Sequence, residues 1–485
     1  MRIKAVFFDL GDTLVERNPE VDYDSIRLIF KTCGTLSAQV ASAAEPKQDR
    51  LSGVQPVNVA LYTNLLAIIF DLIFDSDQTE RPSLVILRGS RGSGKTTLLG
   101  CLAAALADRS PGIHVLGPFD ASLCTGDEYA HLIDNAVAAL PDAVPRVVIL
   151  LDNLDALART PKAAALYAFE QGSLARLVQQ QNITIVATSR TPITWRNWEI
   201  RSRHVGLVVP YMRKEDITEQ ALLRGLDPDD AFMLTLGHPQ LLQWLFAAPQ
   251  LSETDIAMRS AAYFLEGLPA ATAESATLMS LLPAFDVAVL RLAAPLEGDG
   301  VAAGFYSQYL DQVHDLVAVG ILSWSADAGN YQFLDSVMRC QLARSFRSQR
   351  PDDAYRVHQR VAQDYQSEAR RAGVLHLCFV NVIYHLAFAA AVAGAERPGG
   401  PALAWVEKNL SAWPEARWTD VMQAWRAGGG DWVVKEELDR LLGADDIARI
   451  TALLEAGSRT AAGPNGRQVM DAAHGAETHE QESVQ

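Results

Sequence analysis

A glycine-rich segment between an apolar run and a helix-forming stretch constrains this chain more than any other feature. The run Leu84 to Leu87 predicts a buried strand, and a helix is predicted from Thr97 to about Asp108. Glycines let backbone N–H groups curl around phosphates, and the helix N-terminus adds its positive dipole end. The segment fits G-x-x-x-x-G-K-[ST], the Walker A motif of triphosphate sites. It reads Gly89, Ser90, Arg91, Gly92, Ser93, Gly94, Lys95 and Thr96, with Thr97 next.

The side chains of this motif have distinct predicted roles. Lys95 is expected to reach the outer phosphates, and the Thr96 hydroxyl to ligate Mg²⁺. A second metal contact is predicted at Asp152, which follows the apolar strand Val147 to Leu151 in the Walker B pattern. The sequence therefore predicts a site for ATP or ADP with Mg²⁺.

Hydrolysis also needs a group that orients or deprotonates water, commonly an acid just after the Walker B aspartate. That position holds Asn153, which cannot accept a proton. Asp155 is the nearby candidate for a catalytic acid, and its alternative role is to cap the next helix. Binding is therefore predicted more firmly than turnover, and we expect any ATPase activity to be slow.

Two further segments are candidates for contacts to the nucleotide. The apolar strand Ile183 to Ala187 is predicted to lie beside the Walker B strand, bringing Arg190 near the γ-phosphate as a catalytic sensor. Its alternative is a surface arginine. In Gly237-His238-Pro239, Pro239 is a candidate to set a helix against the base or ribose, and the alternative is a plain turn.

Composition restricts the partners and the compartment. The 42 Lys and Arg against 58 Asp and Glu give a net charge of −16, which disfavours broad binding to nucleic acid. The 5 cysteines are scattered and form no metal-binding pattern, as expected for reduced thiols. The apolar stretches 65–74 and 382–395 are shorter than the ~20 residues of a membrane span. We expect a cytoplasmic protein with no membrane segment.

The alternation of apolar runs and helical stretches predicts the fold class. It is an α/β P-loop NTPase, a parallel sheet with covering helices, followed by a helical lid, a winged helix and an α-helical C-terminal region. The winged helix is suggested by a hairpin predicted in the segment ILSWSADAGNYQFLD. The predicted divisions are an N-terminal segment and linker, P-loop domain, lid, winged helix, helical sensor region and disordered tail: 1–50, 51–206, 207–274, 275–347, 348–460 and 461–485.

Taken together, GSRGSGKTT, VVILLDNLD, IVATSR, GHP and the winged-helix segment resemble the STAND class of P-loop ATPases, which is related to AAA+ proteins and includes NB-ARC and MalT-like regulators. The resemblance implies a switch that couples its ATP or ADP state to domain rearrangement or assembly. It also implies a protein partner or self-assembly through the helical C-terminal region. Three features depart from the class: Asn153 replaces its second acid, Phe333-Leu334-Asp335 stands where Met-His-Asp is usual, and its Gly-Arg-Glu element is not recognisable.

The N-terminus carries a different resemblance. Residues 6–15, VFFDLGDTLV, are similar to motif I of haloacid dehalogenase-like hydrolases. The resemblance implies Asp9 as the nucleophile and Asp12 as the acid/base of a phosphohydrolase. The other elements of such an enzyme are not recognisable before the P-loop. A phosphohydrolase using Asp9 and Asp12 is the alternative function, and a strand edging a neighbouring sheet is the structural alternative.

Overall fold

The computed structural model describes residues 62–74, 82–109, 112–141, 144–159, 164–293, 296–297, 301–302, 306–325, 329–370, 375–409 and 418–461. Asp9, Asp12 and residues 462–485 of the predicted tail, 461–485, lie outside these ranges, whereas Ala461 still belongs to the last described helix. The chain divides into two compact units: the first holds residues up to 256 with 319–321, and the second holds 257–318 and 322 onward. Each unit is described by itself.

The first unit is built on a five-stranded parallel sheet in the order β2-β3-β4-β1-β5. The connections that leave the adjacent strands β1 and β4 run in opposite directions, which opens a crevice at the carboxyl ends of these strands. The strands β1, β3 and β4 match the predicted apolar runs, and the short apolar run His114–Leu116 also predicts part of β2, whereas nothing in the sequence predicts the edge strand β5. The strands are β1 Leu84–Arg88, β2 Ile113–Asp120, β3 Arg146–Asp152, β4 Ile183–Ser189 and β5 His204–Val208.

Helices cover both faces of the sheet, as the continuous apolar strands predicted. On one face, Val85 and Leu87 belong to a core with the first two helices. On the other face, Leu84 and Ile86 belong to a second core with the helices that follow β2 and β3. The helices are α1 Tyr62–Phe74, α2 Lys95–Arg109, α3 Gly126–Ala138, α4 Ala156–Arg159, α5 Ala164–Phe169, α6 Ala175–Val178 and α7 Trp198–Arg203.

Short helices follow the sheet and have their own core, which includes Met212, Ile217 and Leu245. The helices are interrupted at the Gly237-His238-Pro239 segment, because Leu236 and Gly237 adopt left-handed backbone angles with φ of 49° and 70°. A Cβ at Gly237 would lie 1.8 Å from the Met212 carbonyl oxygen, so only glycine fits there. Residues 209–247 belong to the predicted lid, 207–274, and the word lid below refers to them; their helices are α8 Lys214–Leu222, α9 Pro228–Thr235 and α10 Pro239–Ala247.

The second unit begins with helices around a three-stranded antiparallel sheet of order β6-β10-β9. The predicted hairpin is confirmed, since Asn330 pairs with Ser325 and Phe333 with Leu322. The elements are α11 Glu253–Phe264, which begins in the first unit, then α12 Ala270–Met279, β6 Ala284–Phe285, α13 Val287–Ala293, β7 Leu296–Glu297, β8 Val301–Ala302, α14 Tyr306–Ala318, β9 Leu322–Ser325 and β10 Asn330–Phe333.

The rest of the second unit is helical. Its most apolar helix, Leu375–Val392, has the length and composition of a membrane span over 18 residues, and 67% of it is buried inside the protein. The burial agrees with the prediction of a core helix, although the helix is longer than the apolar run suggested. The helices are α15 Ser336–Gln349, α16 Pro351–Ala369, α17 Leu375–Val392, α18 Gly400–Asn409, α19 Trp418–Arg426 and α20 Trp432–Ala461.

A buried polar cluster ties α15, α16, α17 and α20 together. Arg339 is fully buried and its Nη2 donates to Glu437 Oε2 at 2.5 Å. Burial acts to raise the pKa of Glu437, but the charges of Arg339 and Arg347 outweigh it and lower this pKa to about 2. Beside this pair, His358 Nδ1 lies 2.8 Å from His385 Nδ1, and both rings are fully buried. Only a proton on one of the two nitrogens can join them, so at least one imidazole is neutral.

Candidate functional site

The glycine-rich segment forms a loop that only glycine allows at two positions. Gly92 and Gly94 have φ of 79° and 90°, in the left-handed region that L side chains avoid. A Cβ at Gly89 would lie 2.6 Å from Ser93 Oγ, so the start of the loop is also too close for a side chain. The loop leads directly into α2, whose first residue is Lys95. Helix N-termini of this kind carry unsatisfied N–H groups that suit phosphate oxygens.

Lys95 is held within this loop. Its Nζ donates to the carbonyl oxygens of Gly89 and Ser90, both at 2.7 Å, and the residue is only 6% exposed. The ammonium group is therefore a fixed positive charge among the loop residues. A charge in this position fits an anionic ligand cradled by the same loop.

Thr96 and Asp152, 56 residues apart in sequence, meet at the carboxyl edge of the sheet. Thr96 Oγ1 donates to Asp152 Oδ2 at 2.8 Å. Thr188 Oγ1 donates to the other carboxylate oxygen, and Asp152 is 5% exposed. A hydroxyl and a carboxylate are hard oxygen donors of the kind Mg²⁺ accepts. These residues therefore fit a magnesium ion bound together with a triphosphate.

The segment after Asp152 is fixed by contacts to β4. Asn153 has φ of 53°, and its backbone N–H donates to Thr188 Oγ1 at 2.9 Å. Asp155 is fully buried, and its Oδ1 accepts from the Arg190 N–H at 3.0 Å. Asp155 therefore anchors the turn that carries Arg190. Since β4 lies between β1 and β3, the end of β4 brings Arg190 to the same edge as the Walker motifs.

The lid contacts the glycine-rich loop through Tyr211, which the sequence did not indicate, and through His238, which lies in the Gly237-His238-Pro239 segment but had no predicted role of its own. Tyr211 Oη lies 2.8 Å from Ser90 Oγ. His238 is fully buried, and its Nε2 lies 3.1 Å from the Arg91 carbonyl oxygen and 3.3 Å from Ser90 Oγ. Because a carbonyl oxygen can only accept, Nε2 carries a proton. Pro239 opens the following helix.

Asp120, at the end of β2, is a third residue that the sequence did not single out. Its Oδ1 accepts from Asn153 Nδ2 at 3.0 Å, and the strand pairing places it opposite Asp152. Burial acts to raise the pKa of Asp120, but hydrogen bonds from Ser122 and Asn153 and the charge of Arg190 outweigh it and lower this pKa. A carboxylate at the end of one more strand was the only available signal, and it is a weak one.

Comparison with known proteins gives remote structural likenesses. No protein-family model and no curated protein sequence matches the chain. The ORC2 protein of Aeropyrum pernix, solved in ADPNP–ADP complexes, aligns at 12% identity over 62% of this chain and 97% of its own, with a TM-score of 0.34. Cdc6p from Pyrobaculum aerophilum aligns at 14% identity over 65% and 97%, with a TM-score of 0.30. PCH-2 of C. elegans aligns at 13% identity over 54% and 69%, with a TM-score of 0.26.

Proposed function

We propose that this chain is an ATP-binding molecular switch of the AAA+ type, in its STAND branch. Gly89 to Thr97 would wrap the phosphates, with Lys95 as the cation at their outer end. Thr96 and Asp152 would hold Mg²⁺, which when bound offsets phosphate charge. Arg190, from β4, would report whether a γ-phosphate is present.

The contact between Thr96 Oγ1 and Asp152 Oδ2, at 2.8 Å, carries this proposal. Asp152 is buried and lies 56 residues from Thr96 in the chain, yet its carboxylate meets the Thr96 hydroxyl. A glycine-rich turn with no function would not require such a contact. The hydroxyl and the carboxylate that this contact joins are the groups to which we assign Mg²⁺. The parallel sheet supplies the geometry, because its carboxyl edge collects the loops of β1, β3 and β4.

The lid supports a switch rather than passive binding. His238 and Tyr211 contact Ser90 and Arg91 of the loop that would wrap the phosphates. A loop that changes its hydrogen bonds between ADP and ATP would therefore change the contacts that hold the lid. A ligand shifts such an equilibrium by its difference in affinity for the two states.

The remaining features of the switch extend the same proposal. The three-stranded sheet and its helices after residue 275 would be a winged helix, and the helices after residue 348 would bind a protein partner or assemble with other copies. Both ATP and ADP would be ligands, with slow hydrolysis between them. The net charge of −16 favours a partner other than nucleic acid, and we expect the protein to act in the cytoplasm.

The test is the nucleotide content of the purified protein. We expect ADP or ATP in near one-to-one amount from the wild type, loss of nucleotide in Lys95→Ala, and retention in Lys408→Ala, an exposed lysine on α18. Chelation of Mg²⁺ by EDTA should weaken ATP binding to the wild type. A wild-type protein that carries no nucleotide and takes up no added MgATP contradicts the proposal.

The phosphohydrolase alternative is separated in the same preparation. A phosphatase that used Asp9 and Asp12 would lose hydrolysis of a simple phosphate ester in Asp9→Asn and keep it in Lys95→Ala. The switch predicts the reverse: ATP binding and hydrolysis should be lost in Lys95→Ala and kept in Asp9→Asn.

A further inference from the structure

The acid that would activate water is missing from its usual position just after β3, which Asn153 occupies, and the structure brings another acid, Asp120, next to that position. Asn153 follows Asp152, and an amide cannot accept a proton. Its Nδ2 instead donates to Asp120 Oδ1 at 3.0 Å. Asp120 ends the neighbouring strand β2, in register with Asp152. The amide thus stands just after the Walker B strand, and the carboxylate at the end of the strand beside it.

The two oxygens of Asp120 have different surroundings. Oδ1 accepts three hydrogen bonds, from the Ser122 N–H at 2.9 Å, Ser122 Oγ at 2.7 Å and Asn153 Nδ2 at 3.0 Å. Within the described part of the chain no hydrogen bond reaches Oδ2. The carboxylate is therefore held by one oxygen and presents a lone pair on the other, and the side chain is half-buried at the sheet edge.

The charge of Asp120 suits a proton acceptor. An aspartate carboxylate is ionised at neutral pH, so Oδ2 of Asp120 can accept a proton. Asp152 lies directly across the strand pair, and the side chain of Arg190 acts electrostatically on Asp120. A cation and a metal-binding carboxylate thus share this edge with a base, the grouping that hydrolysis of a phosphoanhydride requires.

We propose that Asp120 is the general base for hydrolysis of ATP and that Asn153 is the residue that positions it. The proposal rests on the proposed binding of MgATP at the glycine-rich loop. Asp120 Oδ2 accepts a proton from water as the water oxygen bonds to the γ-phosphorus. The bond from that phosphorus to the β–γ bridging oxygen breaks, and its electron pair leaves with ADP. The proton passes from Asp120 to the released phosphate or to solvent.

A purely structural role for Asp120 is the competing explanation. Its Oδ1 caps the short 3₁₀ helix Ala121–Leu123 through the Ser122 N–H. Capping needs only Oδ1, and an asparagine at the same position retains an acceptor oxygen and is a good cap. Asp120→Asn therefore keeps the cap and removes the base, which makes it the informative substitution.

The first experiment compares Asp120→Asn with a matched capping variant. We expect Asp120→Asn to lower kcat for ATP by about 100-fold or more, because a general base contributes a rate factor of that size. The Kd for MgATP should stay within about threefold of wild type, because the lost interaction acts in the transition state and not in binding. The nucleotide retained on purification should shift from ADP to ATP. Glu128→Gln is the control, because Glu128 caps the next helix through the Thr125 N–H at 2.9 Å.

The second experiment exchanges the two residues. Asp120→Asn combined with Asn153→Asp returns the acid to the position just after β3, and we expect at least about a tenfold gain in kcat over Asp120→Asn. Asn153→Ala tests positioning. Losing the amide donor raises the pKa of Asp120, so the acid limb of the kcat profile should move to higher pH.

The outcomes separate this inference from the function on which it rests. Wild-type protein that binds MgATP without hydrolysing it, or Asp120→Asn that hydrolyses ATP within threefold of wild type, overturns the role of Asp120 and leaves the switch intact. Loss of activity in Asp120→Asn that follows loss of ATP binding or of thermal stability also overturns it, in favour of capping alone. Failure of the wild type to bind MgATP overturns the proposed function itself.

Discussion

Replacing His238 with alanine should lower the free energy that holds the lid against the glycine-rich loop, by an amount that follows from the contacts of the imidazole. The imidazole is fully buried and makes no side-chain cap to its own helix, so the change removes lid contacts without removing a cap. Its Nε2–H is shared between the Arg91 carbonyl oxygen at 3.1 Å and Ser90 Oγ at 3.3 Å. One shared hydrogen bond contributes about 1 kcal/mol net.

The ring contact adds to this. The centroids of His238 and Tyr211 are 5.2 Å apart, and aromatic pairs at such distances contribute about 0.5–1.5 kcal/mol. The two terms together give about 2 kcal/mol. At 1.36 kcal/mol for each factor of ten, the open fraction of the lid should rise by roughly 30-fold.

Hydrogen exchange of the amides in α10, Pro239–Ala247, measures this opening directly. Protection should fall by roughly 30-fold in His238→Ala, in proportion to the opening equilibrium. His204→Ala is the matched control, because His204 Nδ1 also contacts a carbonyl oxygen, that of Arg201 at 2.9 Å, but lies on β5. Unchanged protection in His238→Ala, or equal loss in both variants, refutes the assigned coupling.

Two further predictions concern the second unit. Glu437→Gln leaves the buried Arg339 without its main counter-charge, so the free energy of unfolding measured in urea should fall by about 3–5 kcal/mol. Leucine at both positions should restore most of the lost stability. An unchanged denaturation midpoint in Glu437→Gln contradicts this prediction. Burial holds the pKa of His358 well below its usual value and that of His385 at about 3. The contribution of these neutral rings to the free energy of unfolding is therefore complete above the ordinary histidine pKa of about 6.5. As the pH falls below about 6.5, the free energy of unfolding should fall by up to about 1.4 kcal/mol per pH unit for each ring, until the pH reaches the folded-state pKa. His385→Phe should flatten that slope in denaturation midpoints measured between pH 7 and 4, and an equally steep slope in this variant contradicts the assignment.

Local sequence predicted the elements whose signals are local. The strands β1, β3 and β4 are continuous apolar runs because both of their faces are covered. The glycine-rich loop and the break at Gly237 are written in residues that alone tolerate left-handed backbone. The strand β5 was missed because it lies at the sheet edge, mixes exposed and buried positions and contains Gly206.

For some residues whose role the sequence left open, the structure shows the surroundings. Asp155, a candidate acid or a cap, is buried and holds the Arg190 N–H. Trp418 and Trp425 of the C-terminal helices, which the sequence alone could place in a core or on a surface, are buried, at 5% and 2% exposure. Both outcomes depend on neighbours far along the chain, which periodicity does not report.

From the sequence alone one can predict that a glycine-rich loop with the Walker A pattern follows an apolar strand, and that a later apolar strand ends in a carboxylate followed by an amide. What surrounds that loop depends on tertiary contacts. Asp120 reaches Asn153 across 33 residues, and His238 reaches Ser90 across 148. The order of parallel strands and the docking of a lid arise from long-range packing, in which each partner is unremarkable alone. The glycine-rich loop can therefore be predicted from a short motif, whereas the contacts of Asp120 with Asn153 and of the lid with the loop form only once the sheet has been assembled.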